Sequence, residues 1–305
     1  MKMKKSILII FVLFFSIGNS FSQANYIIPN YVSMDKFRVL DSAYLKCTFK
    51  LSHVHDTLNA DKTREIDMQT LLIGNKMTKY FSQYMVDYCL YVGDLFKKRD
   101  KRIQKTSTGA QPIIHNQENG TLGYEIFKSY PDNKMTVTDL ASQTGPAYIG
   151  SNYQYEDVIP NLKWEMKNDT STILSYSCQK AITTFRGRTY EAWYTTEIPI
   201  NNGPWKFGGL PGLILKVSDK KQYFVFECIG IEKSKKLEPI KFYDLKYLKI
   251  SRLNLAKLYQ RLHDDYMGYS LSAGYSQHCY VKYPDGKVEE VTHSPKQPYN
   301  PIELE

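Results

Sequence analysis

The sequence predicts a mainly β fold, a β-rich α+β domain formed by a curved antiparallel sheet or half-open barrel with two helices. Short runs mixing β-branched and aromatic residues recur along the chain, separated by Gly, Pro, Asn and Asp turn signals. Tyr (25), Phe (14) and Trp (3) make up 14% of 305 residues, a content suited to pleated, half-buried surfaces. Helical periodicity is confined to two stretches, and no internal repeat or low-complexity linker divides the chain.

Residues 1–22 have the form of a cleaved export signal. Lys2, Lys4 and Lys5 precede an apolar run over Ile7–Ile17, and Ser20-Phe21-Ser22 sets small residues before a cut at Gln23. The run is shorter than the roughly 20 residues of a membrane span. No transmembrane helix is therefore expected after cleavage, and residues 23–305 are expected to form one domain. Formal net charge is +9, falling to +6 without the three leader lysines, and the excess is scattered lysine rather than clustered arginine. Export and scattered charge disfavour nucleic acid as a partner.

Tyr44–Leu51 alternates as a first strand; Ile66–Ile73 and Lys76–Phe81 flank a turn at Gly74-Asn75. Ser82 then caps an expected helix over Gln83–Lys98, with Met85, Cys89, Val92 and Phe96 on one face. Leu122–Ser129 and Lys134–Thr138 read as a hairpin, and Tyr148–Val158 is tyrosine-rich and ambiguous. Ile173–Phe185 and Thr189–Ile198 read as a hairpin turning at Gly187, and Pro199 ends the second strand. Gly209-Leu210-Pro211-Gly212 reads as a corner, with Gly212 expected at positive φ in a type II turn. Leu213–Val217 and Gln222–Ile231 follow as paired strands, and Lys233-Ser234-Lys235-Lys236 reads as a charged loop or helix end. A helix is expected from Ser251 to Tyr266, and a last hairpin over Tyr275–Tyr283 and Lys287–Thr292. From His293 onward the chain is expected to be extended and loose.

The central blocks carry a family resemblance. Cys178, Lys180, Ala181, Gly187, Pro199, Gly203, Pro204 and the string Gly209-Leu210-Pro211-Gly212-Leu213-Ile214 resemble, in order and spacing, the GLPGLI family of secreted bacterial proteins. The match is strongest over residues 164–227. The resemblance implies an exported protein of the periplasm or outer envelope of a Gram-negative, Bacteroidetes-type bacterium. That family has no established activity, so the resemblance transfers no catalytic residues.

Chemistry-bearing patterns are sparse. No Gly-x-Ser-x-Gly, His-Glu-x-x-His, P-loop or Gly-x-Gly-x-x-Gly occurs, and no cofactor is assigned. His53-Val54-His55 places two imidazoles on one side of a strand without a third ligand, so no metal is assigned. Cys178 and Cys228 fall on strands that are candidate sheet neighbours, making them a candidate disulfide in an oxidising compartment. Phe185, Tyr190, Trp193, Tyr194, Trp205 and Phe207 are candidates to line a groove. These readings favour a non-enzymatic envelope protein that binds an apolar or amphipathic ligand or another envelope protein. The alternative is a hydrolase with a dispersed site acting on envelope polymers or peptides.

Overall fold

The structure is a computed structural model that describes residues 36–87, 89–90, 94, 123–139, 152–273, 280–282, 287–290 and 292–305. The expected export signal, Cys279 and most of the expected 83–98 helix lie outside the described residues. The chain is mainly β and carries one open, curved, almost wholly antiparallel sheet. The described part of Pro29–Leu255, together with Tyr299–Glu305, is one compact unit, and Ala256–Pro298 belongs to a second.

Twelve strands of the first unit form that sheet. They are β1 (Phe37–Val54), β2 (Arg64–Gly74), β3 (Met77–Ser82), β4 (Tyr124–Ser129), β5 (Lys134–Asp139), β6 (Asn152–Val158), β7 (Glu165–Ile173), β8 (Tyr176–Phe185), β9 (Arg188–Thr195), β10 (Leu213–Asp219), β11 (Phe224–Tyr243) and β12 (Tyr247–Lys249). Their spatial order is β12-β6-β5-β4-β3-β2-β1-β11-β10-β9-β8-β7, with β12 parallel to β6 and the other neighbours antiparallel. The long central pair β1–β11 breaks register between Val39 and Asp41, Ala43 and Leu45, and Thr48 and Phe49. Each break increases local twist, which is how strands of this length bend rather than lie flat. Contrary to the charged-loop reading, β11 continues through residues 233–236, because β1 offers a ladder on both sides of them.

The turns follow backbone chemistry. Arg186 and Gly187 both have positive φ (49° and 77°), the two-residue type I′ geometry that closes β8 onto β9. Leu174 (49°) and Ser175 (69°) close β7 onto β8 in the same way. The stretch read as one strand over Ile173–Phe185 is therefore interrupted. Without Gly or Asn at 174–175, no turn signal betrays the break.

The middle of the sheet is buried on one face, and β2, β3 and β4 are buried on both over much of their length. One register row runs Ala181, Ala192, Val217, Phe226, Leu51, Asp67 across six strands, each fully buried. Asp67 is retained in that row because Ser82 Oγ donates to it at 2.9 Å and Gln69 Nε2 donates to its other oxygen. Helical residues 83–87 follow β3, with Ser82 Oγ accepting from Met85 N at 3.1 Å, so Ser82 is the expected cap. Met85, Val86 and Cys89 pack with Leu72, Phe81, Phe127 and Phe242.

Residues 299–305 are not loose. Arg188 donates to Asn300 Oδ1 and Pro301 O at 2.6 Å, Asn300 Nδ2 to Val54 O at 2.7 Å, and Leu304 N to Arg186 O at 2.9 Å. Prolines 298 and 301 prevent regular ladder pairing here, and the contacts come instead from side chains and isolated amides.

Helix α1 (Arg252–Asp264) occupies the expected helical stretch and leads into the second unit. The expected single helix stops at Asp265, whose carboxylate accepts from Gly268 N at 2.9 Å and caps α2 (Tyr266–Ser272). A short hairpin, β13 (Tyr280–Lys282) with β14 (Val288–Glu290), forms where Pro284-Asp285-Gly286 predicts a turn.

Candidate functional site

The loop between β9 and β10 carries Trp205, Phe207 and the Gly-Pro corner singled out from sequence, and it turns inward. Phe207 is the hub of an aromatic cluster, with ring centroids 4.8 Å from Tyr190, 5.3 Å from Trp205, 6.2 Å from Phe226 and 6.4 Å from Trp164. Tyr190, Tyr194, Trp205 and Phe207 are at most 1% exposed, so the structure places these four in the core. Phe185 sits at its margin, 5.7 Å from Trp205 and beneath the Arg186 guanidinium.

Buried lysines anchor this loop. Lys128 Nζ donates to Phe207 O at 2.6 Å, and Lys206 Nζ donates to Tyr155 OH at 2.8 Å and pairs with Glu303. Glu303 also holds Arg252 at 2.9 Å. Sequence reading missed this network, because its members come from β4, β6, the loop, α1 and residue 303. Burial, reinforced by the nearby Lys206 charge, pushes Lys128 down to about 7. Between pH 7 and the ordinary lysine range the unfolded chain holds the extra proton, so stability rises with pH across that window. Thermal unfolding midpoints should climb from pH 7 to 9, and Lys128→Met should remove that part of the rise. An unchanged slope in the variant would show that Lys128 is charged in the folded state.

Gly209 has φ +87°, while Gly212 does not have the expected positive φ. A Cβ on Gly212 would instead meet the Thr195 backbone, so its role is close approach of two chain segments. Trp164 Nε1 donates to Gly208 O at 2.8 Å and closes the corner.

Trp193 alone among the six aromatic candidates stands on the sheet's solvent face. The register row containing it runs Lys180, Trp193, Lys216, Glu227, Lys50, Met68 over β8, β9, β10, β11, β1 and β2. None of the six is buried. At the usual strand spacing the row spans about 24 Å. The Lys180 ammonium lies 5.8 Å from the Trp193 ring centroid and pairs with Glu191 at 3.1 Å, while Lys216 pairs with Glu227 at 3.5 Å. These exposed pairs contribute little stability. They do hold charged donors and acceptors at the rim of an indole face, on a rigid sheet rather than a loop. Such a surface can stack a ring and hydrogen-bond its polar substituents.

Residues 116–253 match the family profile described as N-glycanase peptide, N-terminal domain. This finding overturns the GLPGLI reading: no support for that family accompanies it. The Gly-Pro blocks that suggested it occupy the β8–β10 hairpins and their corner, where turn geometry and close packing dictate such residues whatever the family. Two crystal structures of PNGF-II, in space groups P21 and C2, resemble the chain at TM-score 0.45. Identities are 15% and 16%, covering 72% and 71% of this chain. The alignments span 33% and 32% of the PNGF-II chains, about a third of their length. No curated protein matches the chain.

Other polar groupings have structural roles. His53 and His55 have ring centroids 4.5 Å apart, but His53 stacks on Phe224 at 4.6 Å and His55 pairs with Glu65 at 2.8 Å. Cys178 and Cys228 are both buried and lie on β8 and β11, with β9 and β10 between them. In the second unit, Asp265 and His293 face a cleft of about 400 Å³. Burial would raise the Asp265 carboxyl, but hydrogen bonds from His293, Ser294 N and Gly268 N outweigh it and hold it well below the carboxylate range. That carboxylate is committed to its helix cap. Among the described residues no helix is long and apolar enough to cross a membrane.

Proposed function

We propose that this chain is an exported glycan-binding module that engages carbohydrate through the Trp193 row, without catalysing its cleavage. The observation that carries the reading is the partly buried indole set between Lys180 and Lys216 in one register row. Sugar rings have an apolar C–H face and a polar rim, the amphipathic ligand chemistry that a flat aromatic ringed by ion-paired donors can hold. The matched profile supports this choice of ligand, since its description names a part of an N-glycanase rather than the whole enzyme. Tyr190 and Tyr194, on the opposite face of β9 from Trp193, point into the core.

The test is an array of released N-glycans probed with the wild-type chain and with Trp193→Ala. Wild type should bind, and the variant should lose at least about tenfold in affinity, roughly 1.4 kcal/mol, with an unchanged unfolding midpoint. A wild-type chain that binds no glycan, or a Trp193→Ala variant that binds as well as wild type, would overturn the reading. Trp193→Phe should retain part of the affinity, because it keeps an aromatic face.

A further inference from the structure

Cys47 in β1 and Cys228 in β11 are buried on the inner face of the sheet's central strand pair. Phe49 lies opposite Cys228, Thr48 opposite Gly230 and Cys47 opposite Ile231, so the ladder passes over Ile229. Ile229 is the extra residue of a bulge, 44% exposed, and the bulge leaves Cys47 and Cys228 as diagonal neighbours on one face. Each thiol is the largest influence on the other's proton affinity, which places the two sulfurs close together. Cys228 Sγ also lies 3.5 Å from Gly230 O, within the same bulge. Cys178, the partner expected for Cys228 from sequence, is three strands away in sheet order, with its thiol directed at Tyr176 O.

We propose that Cys47 and Cys228 become joined as a disulfide across β1 and β11 when the chain folds in the presence of a small-molecule disulfide. The Cys228 thiolate attacks the oxidant, forming a mixed disulfide and releasing one thiolate. The Cys47 thiolate then attacks the Cys228 sulfur, forming the protein S–S bond and releasing the second. The two cysteines each lose a proton and together give two electrons to the oxidant, which leaves as two thiols. Both sulfurs are enclosed once the strands have paired, so the exchange belongs to folding, before β1 closes on β11. The link would cross the longest ladder of the sheet and close a long chain loop, restricting the unfolded state.

The test is to refold the full chain from denaturant in a glutathione redox buffer, alkylate it in denaturant without reductant, and map fragments by mass spectrometry. The expected result is a fragment pair joined through Cys47 and Cys228, lighter by two hydrogens than the separate thiol fragments, with Cys89, Cys178 and Cys279 alkylated. The oxidised chain should unfold at a higher temperature than its reduced form, and Cys47→Ser should lose that difference while Cys178→Ser keeps it. Alkylation of both Cys47 and Cys228, or Cys228 joined to Cys178, would overturn the proposal. Because the oxidant is supplied, the outcome is independent of glycan binding.

Discussion

Replacing Gly212 with valine is expected to destabilise the protein by about 4 kcal/mol, a large part of the 5–15 kcal/mol typical of a domain. Even a bare Cβ at this position would overlap the Thr195 carbonyl oxygen, lie 2.6 Å from the Thr195 carbonyl carbon and 3.1 Å from Thr196 Cα. Those atoms belong to backbone at the end of β9, which pairs with β10 immediately after the glycine, Thr195 opposite Leu213. Neither segment can retreat without breaking that ladder, so the strain has no cheap outlet. Gly209 provides the contrast. Its φ of +87° calls for a left-handed residue, and the nearest atom to an added Cβ is Trp164 Nε1 at 3.3 Å. Asparagine tolerates such a backbone, so Gly209→Asn should cost much less than Gly212→Asn. Denaturant melts of the two asparagine variants check this directly. Equal losses would mean that Gly212 is not held by close approach.

The second large effect is expected at Lys79. Lys79 Nζ lies 2.5 Å from Glu125 Oε1, with both side chains almost fully enclosed. The ammonium also donates to Lys241 O at 2.9 Å and sits 4.7–5.2 Å from the ring centroids of Phe81, Phe127 and Tyr243. Thr138 Oγ1 donates to the other Glu125 oxygen at 3.2 Å. Lys79→Met leaves the glutamate buried without its counter-charge and should cost about 3–5 kcal/mol. Adding Glu125→Leu should recover most of the loss, because two apolar residues of similar volume satisfy the site without desolvating charge. Urea melts of the single and double variants complete the cycle. A double variant as unstable as Lys79→Met would show that the cost lies in packing rather than in the abandoned charge.

Much of the local architecture was legible because it depends on neighbours in sequence. Arg186-Gly187 needed only a permissive glycine to announce its turn, and Ser82 only a hydroxyl before a periodic run to announce its cap. Where the local code was silent, reading failed. Leu174-Ser175 adopts the same turn without a glycine or asparagine, and Lys233–Lys236 continues a strand because β1 is there to pair with it. Gly212 was recognised as a special position for the wrong reason. Its constraint comes from Thr195, across the loop, and not from its own φ.

Composition and period alone therefore determined the β-rich class, the β8–β9 hairpin, the site of α1 and the pairing of β13 with β14. Tertiary structure alone decided which aromatic met water. Trp193 and Tyr194 are adjacent on β9 and face opposite ways, and an alternating pattern is unchanged if the two faces of the sheet are exchanged. It likewise decided which charges could be buried. Lys206 is enclosed because Glu303 reaches it from 97 positions away, and Lys79 because β4 brings Glu125 against it. A charge leaves water only where an opposite charge or a hydrogen-bond partner is already in place, and that partner is supplied by the fold rather than by sequence neighbours.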